Sequence, residues 1–200
     1  MTGSPPCPPF SVEGERKGAA DERDCFPAVL NIIANYQPRF AAIENVPGLL
    51  TCPNYPGQPT GSYFRGLLRT LDNIGYDAEW ITISSGHFAS PFIRERLLLV
   101  AVSRSLKLQW QWTTTWTDQA RGAIEETRGN HTRTSSKPGI SREQLQSSTW
   151  LDRSTGKQIS IGIASKNGII RDRRAALGNA FDWRVANIAL KRVLYLNSLI

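Results

Sequence analysis

The stretch 39-RFAAIENV-46 decides how the chain folds. It is short and apolar and ends in the polar pair Glu44 and Asn45, which predicts a buried strand with both polar side chains at its carboxyl tip. Open α/β sheets hold their ligands at the carboxyl ends of strands. We therefore expect Glu44 and Asn45 to face a functional site.

Helical and strand patterns alternate on both sides of this strand. Residues 24–36 carry apolar side chains at spacings of three and four, which predicts an amphipathic helix with Pro27 in its first turn. After the loop 47–61, Ser62 is the predicted N-cap of a second helix that Gly75 ends. Two further strands are predicted at 77–83 and 96–102. This alternation predicts a layered α/β domain.

The composition changes after Ser103. From there to about residue 158, Thr, Ser, Arg and Gln dominate without a visible long period, which predicts an irregular linker or small variable module. A strand is predicted at 156–163, and a helix at 183–199 with an apolar side formed by Val185, Ile188, Ala189, Val193 and Leu196.

Composition and charge limit the possible functions. The 200 residues, 40% hydrophobic and 20% charged, fit one globular domain with a small appendage. The net charge of +7 favours a polyanionic partner. We find neither an apolar run that could span a membrane nor a signal-peptide pattern, so we expect a cytoplasmic protein that does not act at a membrane.

The cysteines and histidines do not indicate a disulfide framework or a metal site. Cys7, Cys25 and Cys52 are odd in number and form no Cys-x-x-Cys pair. His87 and His131 are the only histidines, so a histidine-rich metal site is not expected either.

The stretch 3-GSPPCPPFS-11 holds Cys7 between prolines that restrict its backbone. A nucleophilic cysteine needs a fixed backbone, partial exposure and a partner for protons or charge. Taken alone, Cys7 is more simply a small apolar residue in a proline-rich leader, Glu44 a solvated carboxylate, and the pair Arg94 and Arg96 a charged strand edge. Their order and spacing together favour a catalytic set.

Six blocks of the chain resemble motifs of the DNA cytosine-5 methyltransferases. They are PPCPPFS (5–11), GERKGAADERD (14–24), ENVPGLL (44–50), GYDAEWITI (75–83), SPFIRERLLLVAV (90–102) and ALGNAFDWRVANIAL (176–190). The blocks occur in the family's order and cover residues 3–103 well and 170–196 moderately.

The resemblance implies a reaction on double-stranded DNA. Cys7 adds to C6 of a flipped-out cytosine, whose C5 then takes a methyl group from S-adenosylmethionine. Glu44 is implied at N3 of the base, Arg96 at O2, and Arg94 beside the carboxylate or a phosphate. Asn45 is implied as an anchor for this set.

The resemblance also implies contacts to the methyl donor from Pro6 and from Gly178, Asn179 and Ala180. Residues 11–24 resemble a lid that closes over flipped DNA. Pro8 and Phe92 stand where the family usually has glutamine, and residues 181–183 replace its usual closing run.

The implied fold is a partial Rossmann-like S-adenosylmethionine-dependent methyltransferase domain with a small irregular appendage. We assign residues 1–103 to its catalytic part, 104–160 to a short region like a target-recognition domain, and 161–200 to a closing motif and helix. The family's Gly-rich donor site has no counterpart in this chain. The sequence is therefore a fragment of a longer gene, one subunit of a split enzyme whose separate partner chain supplies the cofactor-binding half, or a degenerate remnant.

Two other function classes stay open. A non-catalytic nucleic-acid-binding protein could use the basic residues of 104–142 with the tryptophans as stacking platforms. A cysteine hydrolase would need His87 as its base, and the context of that residue does not favour it.

Overall fold

A mixed sheet is the centre of the part of the chain that the structure describes. The structure is a computed structural model, and it describes residues 1–12, 14–88, 94–110, 113–131, 149–152, 157–160 and 182–200. The sheet strands are β1 (Thr2–Gly3), β2 (Phe40–Asn45), β3 (Tyr76–Ser84) and β4 (Glu95–Ser103). They lie in the order β1-β2-β4-β3. β1 runs parallel to β2, whereas β4 runs antiparallel to both of its neighbours.

Helices cover both faces of this sheet. They are α1 (Phe26–Tyr36), α2 (Ser62–Asn73), α3 (Trp116–His131) and α4 (Trp183–Asn197), and a separate hairpin joins β5 (Thr149–Asp152) to β6 (Lys157–Ser160). Within these described ranges, none of the helices has the length and apolar character needed to cross a membrane.

The central strand β4 explains why helices pack on both faces. Its alternate side chains belong to two apolar clusters: Leu97, Leu99 and Ala101 to the first, and Leu98, Val100 and Val102 to the second. Helices α1 and α2 complete the first cluster, and α3 and α4 complete the second. A strand buried on both sides reads as a continuous apolar run, as "RLLLVAV" does. The predicted α/β fold class, with helices layered on both faces of one sheet, is confirmed.

The predicted elements of the first hundred residues are confirmed with small shifts at their ends. One detail is wrong: the N-cap of α2 is Gly61, which has a φ of +75°, and Ser62 is the first helical residue. The Ser62 hydroxyl instead accepts a hydrogen bond from the backbone N–H of Asn54 at 2.7 Å. Of the strand predicted at 156–163, residues 157–160 form β6 and residues 161–163 lie outside the described part of the chain.

Helix α3 lies where the sequence predicts irregular structure. Trp116 and Ala120 are buried in the second apolar cluster, while Asp118 and Arg121 are exposed and form an ion pair at 3.0 Å. The buried stripe is short and is surrounded by polar residues, so the helical period is too weak to be recognised from the sequence.

Helix α4 carries a buried cation on its apolar side. Arg192 is 1% exposed, and its Nε and Nη2 donate hydrogen bonds to the Glu79 carboxylate at 2.5 and 2.9 Å. Its Nη1 donates to the Thr114 carbonyl at 2.7 Å and to the Gln119 side chain at 2.8 Å. This two-point pairing fastens α4 to β3 and to the start of α3.

We expect Arg192→Ala to lower the free energy of unfolding by about 3 kcal/mol, because it leaves the Glu79 carboxylate without its buried cation. The matched control is Lys191→Ala on the same helix, which removes only an exposed ion pair with Glu126 at 3.4 Å. That control should change stability by less than about 0.5 kcal/mol. Urea unfolding followed by circular dichroism measures both, and equal losses would contradict the role of Arg192.

Candidate catalytic site at the carboxyl ends of β1 and β2

The pairing of the two parallel strands β1 and β2 builds one edge of the site. Thr2 lies opposite Ala42 and Gly3 opposite Ile43, so both strands end at the same edge of the sheet. Beyond that edge, the buried Asn45 side chain donates a hydrogen bond to the Pro5 carbonyl at 3.1 Å. The Asn45 side-chain oxygen accepts the backbone N–H of Val46 at 2.9 Å. Asn45 therefore ties the segment that leads to Cys7 to the tip of β2.

The backbone around Cys7 is fixed by its own hydrogen bonds. The Cys7 carbonyl accepts the N–H groups of Phe10 and Ser11, each at 3.0 Å. Phe10 is fully buried, and its ring contacts those of Phe26 and Tyr63 at centroid distances of 5.4 and 4.7 Å. The Cys7 thiol is half-buried. This geometry has the fixed backbone and partial exposure that a nucleophilic thiol needs.

Glu44 and Arg96 form a largely buried ion pair next to this segment. The Arg96 Nε donates to Glu44 Oε1 at 2.6 Å, and the two side chains are 10% and 16% exposed. The Arg96 Nη1 donates to the Glu95 carbonyl at 2.8 Å. The second carboxylate oxygen, Glu44 Oε2, accepts a short hydrogen bond from the Ser4 hydroxyl. Both oxygens of Glu44 thus have a defined partner.

Arg94 lies within the electrostatic reach of the same groups. Its backbone is held by Ser85, whose hydroxyl accepts the Arg94 N–H at 3.0 Å and whose own N–H donates to the Arg94 carbonyl at 2.9 Å. Burial and the nearby Arg96 cation lower the pKa of Arg94, while Glu44 and Cys7 act in the opposite direction. The five residues predicted to be catalytic therefore lie at one edge of the sheet, and the roles assigned to them stay predictions.

The loop after Cys7 is anchored over its second half. The Arg16 Nη2 donates to the Gly48 carbonyl at 3.1 Å and to the Thr51 hydroxyl at 2.7 Å. The Ala19 N–H donates to the Asn54 carbonyl at 2.9 Å. The expectation that residues 11–24 act as a lid stays untested, and these contacts anchor the loop at Arg16 and Ala19.

Gly48 permits the close approach of this loop. A Cβ at position 48 would lie 2.2 Å from the Phe10 carbonyl oxygen, a distance that the backbone can relieve only by moving. Because Phe10 follows Cys7 in the same turn, such a movement reaches the thiol.

Gly48→Ala is expected to lower the free energy of unfolding by about 1–3 kcal/mol, because the added methyl group displaces the turn. It should also raise the rate at which an aromatic disulfide reagent labels Cys7. Gly66→Ala serves as the control, since its Cβ would meet nothing within 4 Å and alanine favours the interior of α2. Unchanged stability and unchanged labelling in Gly48→Ala would show that the turn tolerates the extra atom.

The residues predicted to contact the methyl donor are only partly described. Pro6 is exposed directly before Cys7, so its apolar ring is accessible to a ligand at this edge, and the predicted contact with the methyl donor stays a prediction. Gly178, Asn179 and Ala180 lie outside the described residues. Among the described residues, no cluster of three or more His, Cys, Asp or Glu side chains could hold a metal ion.

The structure also describes three residues on which the alternative functions depend. Trp116 is 5% exposed in the second apolar cluster, so the expectation that it serves as a stacking platform is wrong. Arg104, one of the basic residues of the middle region, forms ion pairs with Asp72 and Asp77. The exposed His87 accepts the Ser84 N–H through its Nδ1 at 3.3 Å, within its own turn.

Sequence reasoning missed Ser4. The residue stands three positions before Cys7, but its contact with Glu44 follows only once the register of β1 and β2 is known. Once Gly3 is known to pair with Ile43, the residues that follow on the two segments are Ser4 and Glu44, which brings their side chains together.

Comparison with known proteins gives consistent matches. The family described as C-5 cytosine-specific DNA methylase matches residues 1–187. The type II methyltransferase M.NaeI of Lentzea aerocolonigenes is 35% identical over 112 residues, which are 56% of this chain and 26% of that protein. The type II methyltransferase M.AplI of Arthrospira platensis is 36% identical over 112 residues, which are 56% of this chain and 29% of that protein.

Among solved structures, the S. pombe Dnmt2 methyltransferase aligns with 90% of this chain and 46% of its own, at 20% identity and a TM-score of 0.41. The matches thus span less than half the length of each of these relatives.

Proposed function

Because the chain belongs to the C-5 cytosine-specific DNA methylase family, we propose that it carries the cytosine-binding and nucleophilic half of a DNA cytosine-5 methyltransferase. The observation that supports this most strongly is the Glu44–Arg96 ion pair at 2.6 Å, at the sheet edge that also holds Cys7. A structural ion pair needs no thiol beside it, whereas addition to a cytosine ring needs a nucleophile, a proton at N3 and a donor at O2.

In the proposed reaction, the Cys7 thiolate attacks C6 of a cytosine flipped out of duplex DNA. The π electrons of the C5–C6 double bond shift through C4 toward N3. Glu44 donates a proton to N3, and Arg96 donates a hydrogen bond to O2. C5 becomes nucleophilic as a result. When bound, S-adenosylmethionine supplies the methyl group that C5 accepts. A solvent water takes the C5 proton, Cys7 leaves C6 as the thiolate, and N3 returns its proton to Glu44, which restores the aromatic ring.

The remaining site residues have supporting roles in this proposal. Arg94 adds positive charge near Glu44 and Cys7, where it holds the carboxylate or a DNA phosphate in place. Asn45 holds the Cys7 segment against β2 through its bond to the Pro5 carbonyl at 3.1 Å. Pro6, Gly178, Asn179 and Ala180 are proposed to contact the methyl donor.

We further propose that residues 1–103 are the catalytic part, that 104–160 contribute to target recognition, and that 161–200 close the domain. The rest of the donor pocket comes from a further polypeptide segment, continuous with this chain or separate from it. Among the described strands β1 pairs only with β2, so its other edge can accept such a segment. The three free cysteines fit the cytoplasm, where we place the reaction.

The test measures release of tritium from genomic DNA labelled at C5 of cytosine. Addition of Cys7 to C6 labilises the C5 hydrogen, so exchange into water reports the covalent step without methyl donor and without a known target sequence. We expect the chain to release tritium, Cys7→Ala to reduce release to background, and Glu44→Gln to reduce it by about 100-fold.

The matched control is Cys25→Ala, because Cys25 is an exposed free thiol at the start of α1. Its release should equal that of the unaltered chain. Salt-dependent DNA binding with no tritium release from the unaltered chain would overturn the catalytic proposal and favour the non-catalytic binding protein.

A further inference from the structure

We infer that Ser4 is a positioning residue for Glu44, which fixes Oε2 as the carboxyl oxygen that holds the transferable proton. The observation is the hydrogen bond between the Ser4 hydroxyl and Glu44 Oε2. This inference rests on the proposed function, because it concerns how Glu44 serves the cytosine ring.

The backbone fixes the two residues next to each other. The parallel register pairs Gly3 with Ile43, and the chain continues from both into Ser4 and Glu44. One residue further along, Asn45 is bonded to the Pro5 carbonyl at 3.1 Å, so the two segments stay together past the end of β1. The Ser4 hydroxyl is thus held beside Glu44 by contacts on both sides of it.

The partner of the other oxygen decides where a proton can sit. Glu44 Oε1 accepts from the Arg96 Nε at 2.6 Å, and a guanidinium is only a donor. A proton placed on Oε1 would face the N–H of Arg96 and displace that hydrogen bond, whereas a proton on Oε2 leaves Oε1 able to accept it. The proton of a neutral Glu44 therefore belongs on Oε2.

A hydroxyl is the side chain that suits Oε2 in both protonation states. It donates to the carboxylate, as it does in this structure, and by rotating about its C–O bond it accepts from the carboxylic acid. Ser4 is exposed, whereas the Glu44 side chain is 16% exposed. When the Ser4 hydroxyl takes a proton from a solvent hydronium ion as it gives its own proton to Oε2, the carboxylate is reprotonated with no net change in the hydroxyl.

The experiment compares Ser4→Ala and Ser4→Thr by tritium release from C5-labelled DNA at a series of pH values. Ser4→Ala should release tritium about tenfold more slowly, the loss expected for a hydrogen bond to a charged group, with a displaced pH–rate profile. Ser4→Thr keeps the hydroxyl and should have the release rate and the pH–rate profile of the unaltered chain. The control is Thr2→Ala, an exposed position in β1 two residues before Ser4, which should behave as the unaltered chain.

A second readout separates this inference from the proposed function. The carboxyl carbon of Glu44, observed by ¹³C NMR at fixed pH, should shift in Ser4→Ala and keep its position in Ser4→Thr. An unaltered chain that releases no tritium contradicts the proposed function, and the NMR comparison then still decides whether Ser4 holds Glu44. An unshifted resonance, or release by Ser4→Ala at the rate and pH profile of the unaltered chain, would overturn the inference.

Discussion

The pairing of the two-residue strand β1 with β2 is the constraint on which the candidate site depends. The paired strand residues are Thr2 and Gly3, opposite Ala42 and Ile43, and Met1 adds hydrogen bonds to the backbone of β2. Such a short strand has few ladder bonds of its own, so the side-chain bond from Asn45 to the Pro5 carbonyl carries the pairing past its end. Without this pairing, Cys7 would have no fixed relation to Glu44.

The other half of the site depends on β4, the strand that is buried on both faces. Arg94 directly precedes β4 and Arg96 is its second residue, and the apolar run that follows is buried in both apolar clusters. Arg96 pairs with Glu44 at 2.6 Å across the end of β2. The charged groups thus lie where a rigid apolar scaffold ends, and for that reason they can stay largely buried without moving apart.

Much of this could be predicted because the relevant patterns are strong and local. The apolar runs of β2 and β4 have polar residues at one end, and that composition predicts both the strands and the position of Glu44, Asn45, Arg94 and Arg96. The contact between Ser4 and Glu44 could not be predicted in the same way, because it depends on a register between segments 40 residues apart.

Two further features could not be predicted from the sequence, for different physical reasons. Helix α3 buries only a short stripe that includes Trp116 and Ala120, which gives too little periodicity to recognise. The sequence does not predict that Arg192 is buried on the apolar side of α4, because arginine is usually exposed. Its burial depends on the partners Glu79, Thr114 and Gln119, which are distant in sequence.

The most direct test of the account is to identify the residue that bonds to the base. A pool of duplexes with randomised flanks and 2-pyrimidinone in place of one cytosine is suitable, since this ring lacks the 4-amino group and accepts a thiol at C6 without methyl donor. The account predicts that tryptic digestion of the covalent complex yields the nucleotide on peptide 1–16, which contains Cys7. A complex attached through Cys25 or Cys52, or duplexes that bind without any covalent bond, would contradict it.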